Sequence, residues 1–246
     1  MLGLVPGFTS WSTVFVSANS PSTDPVAANT VASEPAGSEP VGSEPVGSTV
    51  SGERAALSRD GIVDVARDMV SENGLDRLSL RRLASRLGVT APALYAHVTD
   101  KSDLLRAIAE EGFHDLVGRY QLIDSSDPLR RVRLLTRAYV EQALAEPEIF
   151  RLMFLFRPSE IALKSVDNVL ASASTAFEIP LRAVADAQAA GHIDQTRDPF
   201  QIGLTLWTVA HGAASVLLLG MDFSDTARDE LIDSVIDAAL RGLAPL

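Results

Sequence analysis

The stretch Leu78–Leu105, LSLRRLASRLGVTAPALYAHVTDKSDLL, decides how the rest of the chain is read. Ser79 is an N-cap, and Leu80, Leu83, Ala84 and Leu87 fall on one face of a short helix that Gly88 ends. A second helix runs from Thr90 to about His97, with Pro92 tolerated in its first turn. Asp100 then caps a third that begins at Lys101 and carries Leu104, Leu105, Ile108 and Ala109. Ala84, four residues before Gly88, is small enough for two helices to cross closely, and Gly88 supplies a left-handed turn without Cβ strain. Leu83, Leu87, Val89 and Leu94 form the small core between the two helices. This is the grammar of a helix-turn-helix, with Ala91, Ala93, Tyr95 and Ala96 facing outward.

Upstream, Ile62, Val65, Ala66, Met69 and Val70 mark one face of another helix, capped by Ser58 and stopped at Asn73-Gly74. Downstream, helices are predicted near 128–145, 147–156, 160–177, 180–190, 199–219 and 226–242. Pro128, Pro147 and Pro199 open three of them behind Asp127, Glu146 and Asp198, while Gly191 and Gly220 sit at ends. No segment alternates with period two for long enough to be a strand, so the fold class is all-α. Residues 1–52 differ from the rest: they hold no Lys or Arg and repeat Ser-Glu-Pro-x-Gly from Ser33 to Gly47. Such a segment lacks the apolar surface to offset chain entropy and is expected to be a disordered tail. It is either a flexible spacer or contact arm, or the product of an upstream start codon.

The chain has 246 residues, 46% hydrophobic and 22% charged, as ordinary globular proteins do. It has no cysteine, which excludes a disulfide framework, a thiolate zinc site and a cysteine nucleophile. The formal net charge is −11, yet residues 54–106 hold nine bases against seven acids, while residues 107–246 hold twelve against twenty. The net-positive part is the one that contains the short helices. No run reaches the roughly 18–20 uninterrupted apolar residues of a membrane helix, and Met1–Val16 lacks a basic start. A cytoplasmic protein with no membrane association is expected.

The Leu78–Leu105 stretch, with Leu94-Tyr95, His97 and Lys101 at their spacing, resembles the DNA-binding domain of the tetracycline-repressor (TetR) family over about 55 residues from Arg54. Trp207, His211 and Gly212 in LWTVAHGAASVLLL resemble the Trp-His-Gly subgroup of that family's C-terminal domains. The resemblance implies a helix-turn-helix domain over 53–100 and a larger helical ligand-binding and dimerisation domain over 101–246. It implies a homodimeric, ligand-responsive transcription regulator, usually a repressor, on a palindromic double-stranded operator, and no cofactor or metal.

Residue roles follow from chemistry. Thr90 caps the outward helix, where its hydroxyl and open N–H groups suit a phosphate. Tyr95 and His97 offer polar tips to the DNA backbone, and Lys101 adds an ammonium at a helix N-terminus. Arg81 matches the family position that reaches a guanine edge; Arg82 lies beside it, and Arg54 and Arg59 could hold flanking phosphates. Ala91 and Ala93 are apolar where relatives often carry Gln, Thr or Ser, and Pro92 lies between them among the DNA-binding residues, so specificity is expected to rest on Arg81, thymine methyl contacts and DNA shape.

For the C-terminal part, the large side chains Phe113, Tyr139, Phe150, Met153, Phe154, Phe156, Phe177 and Trp207 offer a pocket lining, with His114, Tyr139, Gln142 and His211 as polar anchors. A small lipophilic effector is expected; nothing resembles a magnesium–tetracycline site. The stretches 199–219 and 226–242 are the expected homodimer surface, with Leu204, Trp207, His211, Ala214, Val216, Leu218 and Leu219 as its stripe and Gly203, Gly212 and Ala213 allowing close approach. The helix from Lys101 joins the two parts, so a ligand that prefers one position of it changes half-site spacing. An all-α enzyme is disfavoured: His97, His114, His192 and His211 lack metal-ligand spacing, and no nucleophile elbow or phosphate loop occurs. A protein–protein adaptor that kept the fold but lost DNA binding is the other alternative.

Overall fold

The computed structural model describes residues 57–154 and 170–245; the Ser/Glu/Pro/Gly repeats, Arg54 and Phe156 lie outside them. The described residues are helical, without a strand among them. The helices are α1 Arg59–Asn73, α2 Leu80–Leu87, α3 Ala91–Tyr95, α4 Lys101–Gln121, α5 Pro128–Ala145, α6 Pro147–Phe154, α7 Ala171–Ala189, α8 Pro199–Leu217 and α9 Asp225–Gly242. Among the described residues a 3-10 turn, Leu75–Arg77, joins α1 to α2, which the sequence pattern does not predict.

The side-chain caps act as their sequence positions demand. Ser58, Ser79, Asp100, Asp127 and Asp198 each accept a backbone N–H of the first turn they precede. Thr90 is the exception: it occupies the N-cap position of α3, but its hydroxyl makes no capping bond. Its carbonyl alone starts the helix, accepting from Ala93 and Leu94. Gly88 has φ 66°, and the Val89 N–H returns to the Ala84 carbonyl at 3.0 Å. That closes α2 and turns the chain into α3, with Leu83 and Leu94 wholly buried between them.

One expectation fails at Pro180. Two helices, 160–177 and 180–190, are predicted around it; residues 160–169 lie outside the described residues, and beyond them α7 runs unbroken through the proline. An interior proline costs about 3 kcal/mol in an isolated helix. Here Ala176, Ala183, Val184 and Ala187 lie on one face across Pro180 and are buried, and α7 packs on α4 and α5. Tertiary burial therefore outweighs the local penalty.

Residues 57–245 belong to one compact unit. Helices α4, α5, α7 and α8 make the bundle, α9 covers α5 and α8, and α1 packs on both α4 and α6. At the crossing of α4 with α6, a Cβ on Gly112 would meet Met153 Sδ at 2.7 Å and Ile149 Cγ2 at 2.8 Å, so only glycine fits. Helix α8 carries no charged residue and, by length and composition alone, could cross a membrane; it instead packs on α5, α7 and α9.

Arg67 of α1 joins the first helices to the bundle. Its Nη2 lies 2.5 Å from Asp115 of α4 and 2.7 Å from Glu146, between α5 and α6, while Nη1 lies 3.8 Å from Glu111. Gln142 donates to Glu146 at 2.8 Å and fixes that carboxylate from behind. The guanidinium side chain is only 18% exposed, so its removal strands partly buried acids. Arg67→Met is expected to lower stability by about 3 kcal/mol, measured by urea unfolding; a loss below ~1 kcal/mol would make the cluster an ordinary surface pair.

Candidate nucleic-acid interface and aromatic cluster

Two groups of the expected site residues come together on separate parts of the molecule. The first lies on α2, α3 and the start of α4. Arg81, Arg82, Thr90, Ala91 and Pro92 are exposed, Ala93, His97 and Lys101 are half-buried, and Tyr95 is 56% exposed. An exposed aromatic this large beside a buried Leu94 shows that the amphipathic split of α3 leaves Tyr95 outside. Arg82 gives one N–H to the Arg77 carbonyl at 3.2 Å, whereas Arg81 and Lys101 have no partner among the described residues.

Arg59 has a different role from the one expected. Its guanidinium binds Asp103 with two hydrogen bonds, 2.9 and 2.7 Å, and donates to the His97 carbonyl at 2.8 Å. Asp103 also accepts from the Thr99 N–H at 2.9 Å. The Arg59 side chain therefore clamps the end of α3 to the start of α4 rather than standing open for a phosphate. It also holds the Asp103 carboxyl below the usual carboxylate range. Arg86 is likewise engaged, bound to Glu72 through two N–H groups.

The second group is a cluster of rings from α4, α5, α6 and α8. Phe113 meets Phe154 edge-on at 5.0 Å, Phe150 lies 5.1 Å from Phe154, and Tyr139 packs on both. Trp207 and His211, one turn apart on α8, close the cluster with rings 5.2 Å apart. The Tyr139 hydroxyl and His211 Nδ1 are 2.7 Å apart. Burial pushes the Tyr139 phenol up and His211 below the ordinary histidine value. The two groups share one hydrogen bond, whose donor is set by the tautomer of the neutral imidazole.

Of the remaining expected lining residues, Met153 is buried under Gly112. Gln142 is buried; its NH2 donates to Glu146, and its Oε1 has no hydrogen-bond partner among the described residues. Phe177 stands apart from the cluster, half-buried against Phe200 at 5.9 Å. His114 is exposed on α4 and does not reach the rings. Its neighbour Phe113 lies on the buried stripe, and one further residue rotates the side chain by about 100° away from it. Glu146 and the Arg59–Asp103 clamp are the residues that sequence reasoning missed. No short-range pattern marks them, because their partners lie 44 to 79 positions away.

Two family models match the chain: that of the bacterial regulatory proteins of the tetR family over residues 62–108, and that of the tetracyclin repressor-like C-terminal domain over residues 132–239. Together they account for more than half of the chain. The class D tetracycline repressor protein of Escherichia coli is 44% identical over 57 residues, 23% of this chain and 26% of that repressor. The transcriptional regulator AcrR of Shigella flexneri is 34% identical over 97 residues, 38% of this chain and 45% of AcrR. The matched part thus spans about a quarter of the tetracycline repressors and under half of AcrR. Among solved structures, a protein of unknown function from Rhodococcus sp. RHA1 has a TM-score of 0.67 at 29% identity, covering 80% of this chain and all of that one.

The buried Tyr139–His211 pair has a pH consequence. The folded chain resists protonation of His211, whereas the unfolded chain takes up that proton near the ordinary histidine value of about 6.5. Stability from this pair is present above that value and is lost as pH falls below it. The urea midpoint should drop between about pH 7 and about pH 5.5, and His211→Gln should flatten that slope. An unchanged slope in the variant would assign the dependence to other groups.

Proposed function

Because the chain belongs to the tetR family of bacterial regulatory proteins, we propose that it is a homodimeric, sequence-specific transcription regulator, a repressor released from a palindromic operator by a small lipophilic ligand. The observation that carries this reading is the face made by α2, α3 and the start of α4. It exposes Tyr95, Thr90 and Arg81 around a short apolar helix, while the neighbouring Arg59 and Arg86 are tied to acids. The uncapping hydroxyl of Thr90 and the tips of Tyr95, His97 and Lys101 bind phosphates, with Arg82 at the rim. Arg81 reads a guanine edge, and Ala91, Pro92 and Ala93 touch thymine methyls.

The ring cluster of Phe113, Tyr139, Phe150, Phe154, Trp207 and His211 is the effector site, with Met153 beneath it. His211 Nε2, which is not used by Tyr139, is its polar contact to the ligand. The uncharged α8, together with α9, pairs with the same helices of a second copy. A Cβ on Gly212 would meet nothing within 4 Å, which leaves room for close approach there. Such a two-fold dimer places the recognition helices about 34–36 Å apart. The protein works in the cytoplasm and catalyses no reaction.

The test is binding to the DNA upstream of its own gene, titrated across salt beside an unrelated fragment. The expected result is specific binding with a steep salt slope. Lys101→Ala should weaken binding to all sequences and reduce the slope by about 1, whereas Arg81→Ala should cost about 1–3 kcal/mol on the operator and relax specificity at one base pair. Equal, weak binding to both fragments would favour the adaptor alternative. By linkage, operator must weaken ligand affinity by the factor through which ligand weakens operator affinity. Light scattering at micromolar concentration should give a dimer; a monomer would overturn the palindrome.

A further inference from the structure

Asp103 stands on the first turn of α4, two residues after Lys101. A carboxylate there repels the phosphates that Lys101 is proposed to hold, so by charge alone it weakens binding to every DNA sequence. We infer that Asp103 and Arg59 are specificity-determining positioning residues: by holding Arg59 on the His97 carbonyl, Asp103 raises affinity for the operator relative to other DNA. The inference rests on the regulator reading given above.

Helix α3 depends on its surroundings for its placement. It has five residues, no side-chain cap, and Leu94 as its one buried side chain. Ala91, Pro92 and Ala93 offer DNA no side-chain hydrogen bond, so what they read is methyl contact and groove shape. A gap of about 0.5–1 Å forfeits a quarter to a half of a dispersion contact, so the set of the helix decides how much of that reading is realised. Beyond Tyr95 the His97 N–H returns to the Leu94 carbonyl at 3.0 Å, and the His97 carbonyl accepts from Arg59 Nη1 at 2.8 Å. Asp103 takes that guanidinium on both oxygens, at 2.9 and 2.7 Å, and accepts the Thr99 N–H at 2.9 Å. The start of α1, the exit of α3 and the start of α4 therefore meet at one carboxylate, whose charge Arg106, one turn along α4, also favours.

The same pair acts on non-specific binding. An unpaired arginine at this edge would hold phosphates of any duplex, because that contact carries no sequence information. The Arg59 side chain is 43% exposed, so burial does not withhold it from DNA; its hydrogen bonds do. Asp103 thus works on the ratio of affinities from both sides. It fixes the helix that reads bases, and it silences a cation that does not.

The experiment uses the full chain, the duplex that it selects from a random-sequence pool, and an unrelated duplex, with both affinities measured across salt. Asp103→Asn keeps the shape of the side chain and an oxygen for the Thr99 N–H, but loses the charge and the paired bonds to Arg59. Arg59→Lys keeps the charge, which is enough for a phosphate, and loses the planar fork that matches a carboxylate. Both variants are expected to bind the selected duplex about tenfold more weakly, and the unrelated duplex no more weakly than the unaltered chain does. Charge alone predicts the opposite sign for Asp103→Asn, and a phosphate contact by Arg59 predicts no loss in Arg59→Lys. Misfolding would instead lower the fraction of molecules able to bind either duplex, and each variant serves for the other should one lose its helical circular dichroism. A folded variant that holds the selected duplex as tightly as the unaltered chain, or that loses both duplexes alike, would overturn the inference. An unaltered chain that selects no duplex overturns the regulator reading itself, and this inference with it.

Discussion

Arg67 is a single guanidinium that serves acids on two other parts of the chain, and the relation between the helix-turn-helix and the bundle depends on it. It leaves α1 and reaches Asp115 of α4, Glu146 at the α5–α6 junction and, more distantly, Glu111. Charges held away from water are costly unless each has a partner, so these groups fix one another's positions. The arrangement carries one positive charge against three negative ones. Burial accordingly pushes Glu111 up, with the nearby acids adding to the effect. The junction is therefore held by polar contacts, which have direction, in addition to apolar packing, which has none.

The Arg59 clamp does for α3 what Arg67 does for α1. Helix α3 has five residues, too few to be stable alone. Its start has no side-chain cap, and its end is held through the His97 carbonyl by Arg59, which is itself held by Asp103. The residues proposed to touch DNA are thus placed by others that do not. An arginine near a helix-turn-helix is as readily an internal tie as a phosphate contact, and only the position of its acid distinguishes the two.

Much of this was legible in the sequence because it is written in short-range code. Capping residues at Ser58, Ser79, Asp100, Asp127 and Asp198, the Gly88 turn and the buried stripe of α4 all act within one or two helical turns. What was not legible depends on partners far along the chain. Pro180 stays inside α7 because α4 and α5 bury the helix on both sides of it. His114 could have been excluded by the same periodicity that selects Phe113. The ring cluster was found as a set of large side chains, but the pairing of Tyr139 with His211, 72 positions away, needed the fold.

Helix α4 is a rigid rod of 21 residues, and its length turns small angles into distances. At about 1.5 Å per residue, Phe113 lies roughly 18 Å from Lys101 along the axis. A tilt of about 5° with Phe113 as the pivot carries Lys101 through roughly 1.5 Å, half the length of a hydrogen bond. In the proposed symmetric pair, two such rods tilting in opposite senses would double the displacement. The glycine at position 112, where α6 presses closest, sits beside that pivot. With the pivot at the ring cluster, the stretch of helix back to Lys101 is the arm, and the displacement at the proposed DNA face grows with the distance from the rings to Lys101.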